Sequence, residues 1–461
     1  MRFQEIDRKH SVVITGMGVI SSLGMTLDQL WSACEHGMSG VGSFSLSSGK
    51  SPVSYAARTN EFTGHISNFG ELDEQHKKTI RKGLKLMSRE IQMGVASAQR
   101  ALIDANIQSG SVSSSRVGVS FASDYIITTP DEVLDGMNAC QRDKKFDFSL
   151  WAEHGMTKMT PIWQLKFLTN MPASHIAIYN EFFGPSNAIN NREASFGAAL
   201  GEAVDIIRAG RADVMVVGAT GSRVLPFNLI HYIQQDRMAV PEDGETPESL
   251  CRPFDLSRKG SIPGDGAGTV IIESAEHAMK RGVPIYAEVL GGTCRCTLCY
   301  DRSGKTESMP FQTSDFDTSP SNMKKSIIST LRSLLRKCGY QGEKIGHINA
   351  QAGGDRLYDA AEAQAIREVF GSEADSIPVT SLKGNLGNPG AGGGAIELIA
   401  SVLAMKNNAL FPILNNRTDD PDCPISPVRK FGQASGDLFL KICAQKIGQS
   451  SAVLVRRWSE Q

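Results

Sequence analysis

The sequence predicts an α/β protein built from two successive halves. Apolar runs of strand length alternate with helical segments along most of the 461 residues, and this alternation is typical of buried, largely parallel strands covered by helices. A new strand-like run begins at residue 286, and from there the order of strands and helices repeats. We therefore predict an N-terminal half over residues 1–284 and a C-terminal half over residues 285–461.

Each predicted element rests on its residue pattern. Short runs rich in Val, Ile and Leu indicate strands, and apolar residues at helical spacing indicate helices. The predicted strands cover residues 12–17, 117–121, 214–218, 269–273, 286–292 and 345–351. The predicted helices cover residues 27–36, 85–105, 322–338 and 359–370. The irregular residues 130–159 predict a helical insertion or cap, and the Ser/Thr/Asp-rich residues 302–321 predict an exposed loop.

The composition excludes two classes of partner. The 48 Lys and Arg residues balance 49 Asp and Glu residues, and the net charge is −1, so no overall charge draws the chain to nucleic acid. A local basic patch, which is all that an acidic carrier protein needs, is compatible with this balance. No run approaches the ~18 apolar residues of a membrane span, and the N-terminus lacks the apolar stretch of a signal peptide. Nine scattered cysteines fit a reducing compartment, and we expect a cytoplasmic protein.

Cys294, Cys296 and Cys299 form a tight C-x-C-x-x-C cluster. Structural zinc sites usually need four ligands, and no fourth Cys or His lies nearby in the sequence. We therefore favour free thiols over a metal site and expect no bound metal.

Three glycine-rich segments invite a nucleotide-binding interpretation, and none supports it. Gly16 and Gly18 form a lone G-x-G, which is weak evidence, and we predict a tight strand-to-helix turn there. Residues 264–268 precede a strand rather than a helix, the wrong order for a phosphate-binding loop, and predict a turn that lets backbones pack closely. Residues 384–394 lack the G-x-x-x-x-G-K-[ST] pattern. We expect no nucleotide cofactor.

Residues 184–203 place a charged residue at the start of a helix, where enzymes often place a reactive group. A Gly/Asn/Ser-rich stretch runs into a small-residue helix, and a helix start favours negative charge such as a thiolate or an oxyanion. This chain has Glu193 there, preceded by Arg192. A structural Arg192–Glu193 ion pair and a ligand-contacting role for Glu193 both remain open. Ser195 lacks an evident base, which favours helix packing for its side chain.

Taken in order, five segments resemble the β-ketoacyl-acyl-carrier-protein synthase family of the thiolase fold. They are residues 12–24 (VVITGMGVISSLG), 184–203, 252–268 (RPFD followed by GDGAG), 348–366 and 383–397 (KGNLGNPGAGGGAIE). The resemblance implies a thiolase-like fold, with two duplicated α/β halves stacked in five α/β/α/β/α layers. It also implies a decarboxylative condensation, in which a cysteine takes an acyl group from a carrier protein and two histidines assist.

The chain departs from that family at the positions that carry this chemistry. The cysteine slot holds Glu193, the two histidine slots hold Gln351 and Asn388, and Ile447 occupies the slot of a gating phenylalanine, while the lysine slot keeps Lys383. A carboxylate is a poor acceptor for an acyl group, and neither amide titrates near pH 7. None of the nine histidines falls in a motif slot, and His347, four residues before Gln351, is expected to be structural.

Three functions follow from the resemblance. The favoured one is a ketosynthase homologue of fatty-acid or polyketide biosynthesis that does not condense by itself and acts, like a chain-length factor, in a heterodimer with an active ketosynthase. The second is an enzyme with altered chemistry, such as malonyl-thioester decarboxylation or thioester handling without cysteine. The third is a homodimeric acyl-binding scaffold. All three imply an acyl-carrier protein as partner, and none implies a cofactor.

Overall fold

The computed structural model describes residues 11–46, 51, 53–108, 110–297 and 320–459. Its strands, in chain order, are Val12–Ser21 (β1), Gly42–Ser43 (β2), Tyr55–Ala56 (β3), Val117–Ser123 (β4), Gln141–Arg142 (β5), Lys145–Phe146 (β6), Ser186–Ile189 (β7), Val214–Ser222 (β8), Asp265–Ser274 (β9), Ala287–Cys296 (β10), His347–Asn349 (β11), Pro378–Thr380 (β12), Ser426–Pro427 (β13), Leu438–Ala444 (β14) and Gln449–Arg457 (β15).

Helices alternate with these strands. In chain order they are Leu27–Glu35 (α1), Glu74–Gly83 (α2), Arg89–Asp104 (α3), Pro130–Ala139 (α4), Met171–Asn180 (α5), Ser195–Arg208 (α6), Pro226–Gln235 (α7), Ala275–Arg281 (α8), Pro320–Lys337 (α9), Arg356–Phe370 (α10), Lys383–Leu386 (α11) and Ala391–Asn407 (α12). Every element predicted within the described residues is present, although most strands are longer than predicted.

The large sheet of the described residues is mixed. Its 11 strands follow the order β13-β12-β11-β14-β15-β10-β1-β9-β8-β4-β7. Outer pairs such as β4 with β8 and β11 with β14 are parallel, whereas β1 with β9, β8 with β9, and β10 with β15 are antiparallel. The prediction of largely parallel strands is therefore wrong at the centre of the sheet. Strand direction is set by the connections between strands, which the residue pattern of a single strand does not reveal.

The two halves meet where β1 pairs with β10. This ladder is short, with Val13 opposite Glu288 and Ile14 opposite Ala287, whereas β1 pairs with β9 along most of its length. Helices α6 and α12 contact strands of both halves and form the middle layer. Helices α3 and α5 pack on the outer side of the N-terminal half, and α9 and α10 on that of the C-terminal half. This arrangement agrees with the predicted five α/β/α/β/α layers. The domain division at residue 285, which stays a prediction, falls between α8 and β10.

The middle layer depends on small residues. Every residue from 391 to 405 in α12 is buried, because strands lie on both sides of the helix. A Cβ atom added to Gly392 would lie 2.2 Å from the carbonyl oxygen of Gly266 in β9. Glycine is therefore required for this close approach, and α12 begins inside the glycine-rich run 384–394.

The turns predicted at residues 16–18 and 264–268 are strands instead, although the close packing expected at 264–268 is present. Gly16 and Gly18 lie inside β1, not in a turn, and a Cβ atom on Gly18 would lie 2.1 Å from the carbonyl oxygen of Ser97 in α3. The segment 264–268 is likewise mostly strand, because β9 begins at Asp265. Close packing, which was expected only at 264–268, explains the glycines in both segments.

The predicted helix 85–105 begins later than expected. A 3₁₀ turn covers Leu84–Leu86, and α3 follows Ser88, whose extended backbone precedes the first helical turn. Helix α1 agrees closely with its prediction because Thr26 and Gln29 form a capping box at its start. The insertion at 130–159 contains α4 and the β5–β6 hairpin.

Some predictions concern residues outside the described part of the chain. The loop predicted at 302–321 lies there except for its last two residues, which begin α9, and Cys299 lies there too. Cys294 and Cys296 are free thiols at the end of β10. Over the described ranges, no group of three His, Cys, Asp or Glu residues is arranged to hold a metal ion. No helix in those ranges is long and apolar enough to cross a membrane.

Candidate functional site

Four of the five predicted site residues line one cavity. Glu193, Gln351, Asn388 and Ile447 come from segments far apart in sequence, and they surround a space of about 610 Å³ to which both halves contribute. The fifth, Lys383, is not among the residues lining this cavity. The fold thus brings together the four positions to which the resemblance assigns catalysis and gating.

Glu193 lies in a tight turn between β7 and α6. The turn is a 3₁₀ helix over Arg192–Ala194. Arg192 has a backbone φ of +48°, a value that residues other than glycine rarely adopt. The Ser451 hydroxyl donates a hydrogen bond to the carbonyl oxygen of Ala194 at 2.7 Å and fixes the turn against β15. The Ser195 hydroxyl oxygen accepts a hydrogen bond from the Asn191 N–H at 2.6 Å. This contact supports the structural interpretation of Ser195.

Arg223 is the main partner of Glu193. Its Nη2 atom lies 2.7 Å from Oε1 of Glu193, and Asn388 Nδ2 donates to the same oxygen at 3.3 Å. The partner proposed from sequence, Arg192, is more distant, with Nε 3.9 Å from Oε2. The Arg192–Glu193 pair therefore exists, but it is the weaker of two. The sequence did contain a sign that Arg223 is buried and paired, because it is a single charged residue directly after the apolar and small residues of β8.

A second carboxylate stabilises Arg223. Asp124 Oδ2 lies 3.1 Å from Nη2 of Arg223, and the guanidinium stacks over Tyr232 at 4.4 Å from the ring centre. The side chain of Arg223 is only 4% exposed. Burial opposes ionisation of Glu193, but the charges of Arg223 and Arg192 outweigh it and lower the pKa of this carboxyl to about 2. Glu193 is therefore ionised and has little affinity for a proton.

The two amide slots offer hydrogen bonds and no titratable group. The backbone N–H groups of Gln351 and Ala352 donate to Glu362 at 2.7 and 2.8 Å, which holds the chain after β11 in place. Within the described residues, the side-chain amide of Gln351 makes no hydrogen bond, although the residue is only 6% exposed. Asn388 Oδ1 accepts from the Gly390 N–H at 3.1 Å, which directs its NH₂ group towards Glu193.

Lys383 belongs to a neighbouring buried cluster. Its Nζ lies 2.5 Å from Oε1 of Glu397, whose other oxygen lies 2.6 Å from Nζ of Lys441. Lys441 also donates to the Ala350 carbonyl oxygen at 3.1 Å, next to Gln351. Sequence reasoning missed Lys441, although a lysine inside the apolar strand β14 was a usable signal for a buried ion pair.

A histidine lines the cavity outside every recognised motif. His231 lies on α7, and its Nε2 is 3.0 Å from Nε2 of Gln235, whose Oε1 accepts from Arg192. Gln235 Nε2 must donate in this chain, so His231 accepts and is neutral. Burial and the charge of Arg192 both lower the pKa of His231. By contrast, His347 is buried in β11 and bonded through Nδ1 to the Ser435 carbonyl oxygen, which agrees with its predicted structural role.

One wall of the cavity carries Ile447 and an ionic bridge. Ile447 is 39% exposed. Its neighbour Lys446 places Nζ 2.9 Å from Asp236 and 3.2 Å from Asp355, so one ammonium connects the end of α7 to the start of α10.

The two halves match two family models. Residues 9–278 match the N-terminal domain of beta-ketoacyl synthases, and residues 311–417 match the C-terminal domain. The chain belongs to the beta-ketoacyl synthase family. Curated relatives include 3-oxoacyl-[acyl-carrier-protein] synthase I, chloroplastic, of Hordeum vulgare, which is 28% identical over 92% of this chain and 84% of its own length. Another is 3-oxoacyl-[acyl-carrier-protein] synthase 2 of Coxiella burnetii, 29% identical over 90% of this chain and 91% of its own length.

Solved structures confirm the predicted thiolase-like fold. The ishigamide ketosynthase/chain length factor superposes with a TM-score of 0.77 at 22% identity, covering 97% of this chain and 99% of that one. A beta-ketoacyl synthase from Burkholderia phymatum gives a TM-score of 0.76 at 24% identity, covering 97% and 100%. A type II polyketide ketosynthase in complex with its acyl-carrier protein gives 0.73 at 23% identity, covering 97% and 99%.

Proposed function

We propose that this protein is a non-condensing ketosynthase homologue of fatty-acid or polyketide biosynthesis, which pairs with an active ketosynthase as a chain-length factor does. The observation that carries the proposal is the buried Glu193–Arg223 ion pair at the position that resembles the nucleophile slot. A carboxylate held by a guanidinium and an amide does not form the acyl-enzyme on which condensation depends.

The rest of the cavity supports the loss of condensation. No cysteine is among the described residues that line it. Gln351 and Asn388 replace the two histidines of the resemblance, so proton transfer by those slots is lost. Three changes in one site favour a protein that retains the fold of the family but does not catalyse the condensation.

The surface supports a protein partner. Strand β7 forms one edge of the large sheet within the described residues, and Ser186 and Asn187 on it are exposed. An open edge strand is a template for pairing with another chain. Large apolar side chains are exposed between α4 and β7, among them Phe148 at 73% and Phe183 at 74%. Such exposure is typical of a protein–protein interaction surface.

Helix α2 supports an acyl-carrier protein as a second partner. Its exposed residues include Lys78, Arg81 and Lys82, and Lys85 follows one turn later. An acidic carrier protein is attracted to such a basic surface, which chiefly raises the rate of association. The near-neutral chain thus carries the local basic patch that its composition allowed.

Co-purification tests the partner role. The chain is co-expressed with a ketosynthase of intact Cys/His/His slots encoded in the same genome, and native mass spectrometry measures the complex and any bound acyl group. We expect a heterodimer with one copy of each chain. A stable homodimer that binds no such ketosynthase contradicts the proposal.

A second candidate, malonyl-thioester decarboxylation, has one observation in its favour. His231 places a titratable imidazole in the cavity, whereas Glu193 is a poor base because its pKa is lowered to about 2. If His231 acts, the purified chain converts malonyl-carrier protein to acetyl-carrier protein and His231→Gln abolishes the conversion. Absence of turnover by the wild type removes this candidate.

The third candidate, an acyl-binding scaffold, fits the cavity less well. Arg192, Glu193, Asp236 and Lys446 all line the space, and an apolar chain placed beside them desolvates charges without replacing their hydrogen bonds.

A further inference from the structure

The surroundings of Glu193 form an anion site that is independent of the proposed partner role. Arg223 Nη2 and Asn388 Nδ2 both point at one carboxylate oxygen, at 2.7 and 3.3 Å. We call the side chains of Arg223, Asn388 and Arg192 the anion cradle. Its donors come from three separate segments of the chain and converge on one point.

The cradle has more donors than Glu193 uses. Within the described residues, Arg223 Nη1 and Arg192 Nε are buried and have no hydrogen-bond partner. Buried donors of this kind normally have one. Arg223 also has partners other than Glu193, because its guanidinium contacts Asp124 at 3.1 Å and lies over the Tyr232 ring. The donors are therefore preorganised and do not depend on the Glu193 side chain for their positions.

The charges around the cradle stay balanced without Glu193. Asp124 pairs with Arg223 at 3.1 Å, and Asp236 pairs with Arg192 at 3.6 Å. Each arginine thus keeps one acidic partner when Glu193 is removed. Removal of Glu193 takes away the oxygen that accepts from Arg223 Nη2 and Asn388 Nδ2. A buried donor left without an acceptor destabilises the folded state.

An exogenous ligand has both room and a path. Glu193 and Arg192 line the cavity of about 610 Å³, so truncation of Glu193 connects the cradle directly to that space. A small carboxylate has the same two oxygens as the side chain that it would replace. A thioester carbonyl carries no charge and satisfies these donors less well.

We propose that Glu193 is the resident ligand of an anion-binding site, and that this site takes a free monocarboxylate such as formate or acetate once the side chain is removed. In the wild type the anion cradle does not bind other anions, because the Glu193 carboxylate already occupies it. Arg223 determines this preference, since its Nη2 makes the shortest contact with the Glu193 carboxylate.

Anion rescue tests the proposal. Thermal unfolding of Glu193→Ala is followed in sodium acetate and in sodium chloride at equal ionic strength. We expect acetate alone to stabilise the variant with a saturable dependence, so that at 100 times the dissociation constant the unfolding equilibrium shifts about 100-fold. The matched control is Glu193→Gln, whose amide fills the same volume and leaves no space for acetate.

A double variant and the wild type serve as further controls. Adding Arg223→Met to Glu193→Ala should abolish the effect of acetate, because the strongest donor is gone. The wild type should show no saturable effect. If Glu193→Ala does not fold in chloride, refolding yield against acetate concentration gives the same measurement. The proposal is overturned if acetate has no saturable effect on Glu193→Ala, or if Glu193→Gln and the wild type show an effect of the same size as Glu193→Ala.

Discussion

Two buried ion clusters lie close together in this molecule and have different exposure to the cavity. The cluster of Lys383, Glu397 and Lys441 is at most 1% exposed, and none of the three lines the cavity. The cluster of Arg223 and Glu193 is also buried, but Glu193 lines the cavity directly. In the resemblance, the lysine slot is kept and the nucleophile slot is changed. We therefore expect the interior cluster to contribute only to stability, whereas the cavity-facing cluster also determines which groups the cavity accepts.

Removal of Glu397 breaks the interior cluster and gives the largest expected effect. Glu397→Ala leaves the ammonium groups of Lys383 and Lys441 without a counterion, and breaking such a buried pair costs about 3–5 kcal/mol. Urea denaturation measures the loss. The control is Glu276→Ala, which removes an exposed partner of Lys280 and should cost less than about 1 kcal/mol.

A compensated variant sharpens the same test. Changing Lys383, Glu397 and Lys441 together to Met removes all three charges, and apolar replacement of a buried ionic group is often neutral or stabilising. We expect most of the lost stability to return. Equal losses in the single and triple variants contradict a purely structural role for this cluster.

Arg223→Met breaks the cavity-facing cluster, and its effect should depend on pH. In the wild type, the folded pKa of Glu193 is about 2 and its ordinary value is 4.5. The stabilisation from this ionised carboxyl is therefore present above pH 4.5 and lost as the pH falls towards 2. In the variant, burial without Arg223 raises the pKa of Glu193, so protonation relieves the penalty. We expect a loss of about 3–5 kcal/mol at pH 7 and a smaller one at pH 4.5.

Urea midpoints of wild type and variant at the two pH values measure this difference. Arg116→Met is the control, because its partner Asp213 is 37% exposed and the pair contributes little. A penalty for Arg223→Met that is the same at both pH values contradicts the account of Glu193.

The sequence predicted the members of the site better than their partners. The resemblance of their segments to family motifs identified Glu193, Gln351 and Asn388. Strand patterns alone do not place them together, because β7 lies at one end of the strand order and β11 and β12 lie near the other. Arg223 was missed because its pairing with Glu193 joins segments 30 residues apart, and no periodic pattern records such a contact. Strand length was also missed at β1 and β9, since glycines that allow close packing look like turns in a sequence.

Lys446→Met gives the smallest expected effect and tests the ionic bridge in the cavity wall. The side chain of Lys446 is 22% exposed, and its ammonium bridges Asp236 and Asp355, so we expect a stability loss of about 1 kcal/mol. The larger change should be local: faster hydrogen exchange at residues 445–449 and in the first turn of α10. Methionine keeps the apolar part of the side chain, so the substitution removes the ionic bridge and retains the packing. Unchanged exchange in both segments contradicts the bridge.

Condensation by purified components tests the central claim most directly. The chain alone, a ketosynthase partner alone and the two together are incubated with acyl- and malonyl-carrier protein, and intact-mass spectrometry follows product and acyl-enzyme. The account predicts no β-ketoacyl product and no covalent adduct for the chain alone, and product from the pair that disappears when the partner's cysteine is replaced. Product or an acyl adduct on the chain by itself would contradict it.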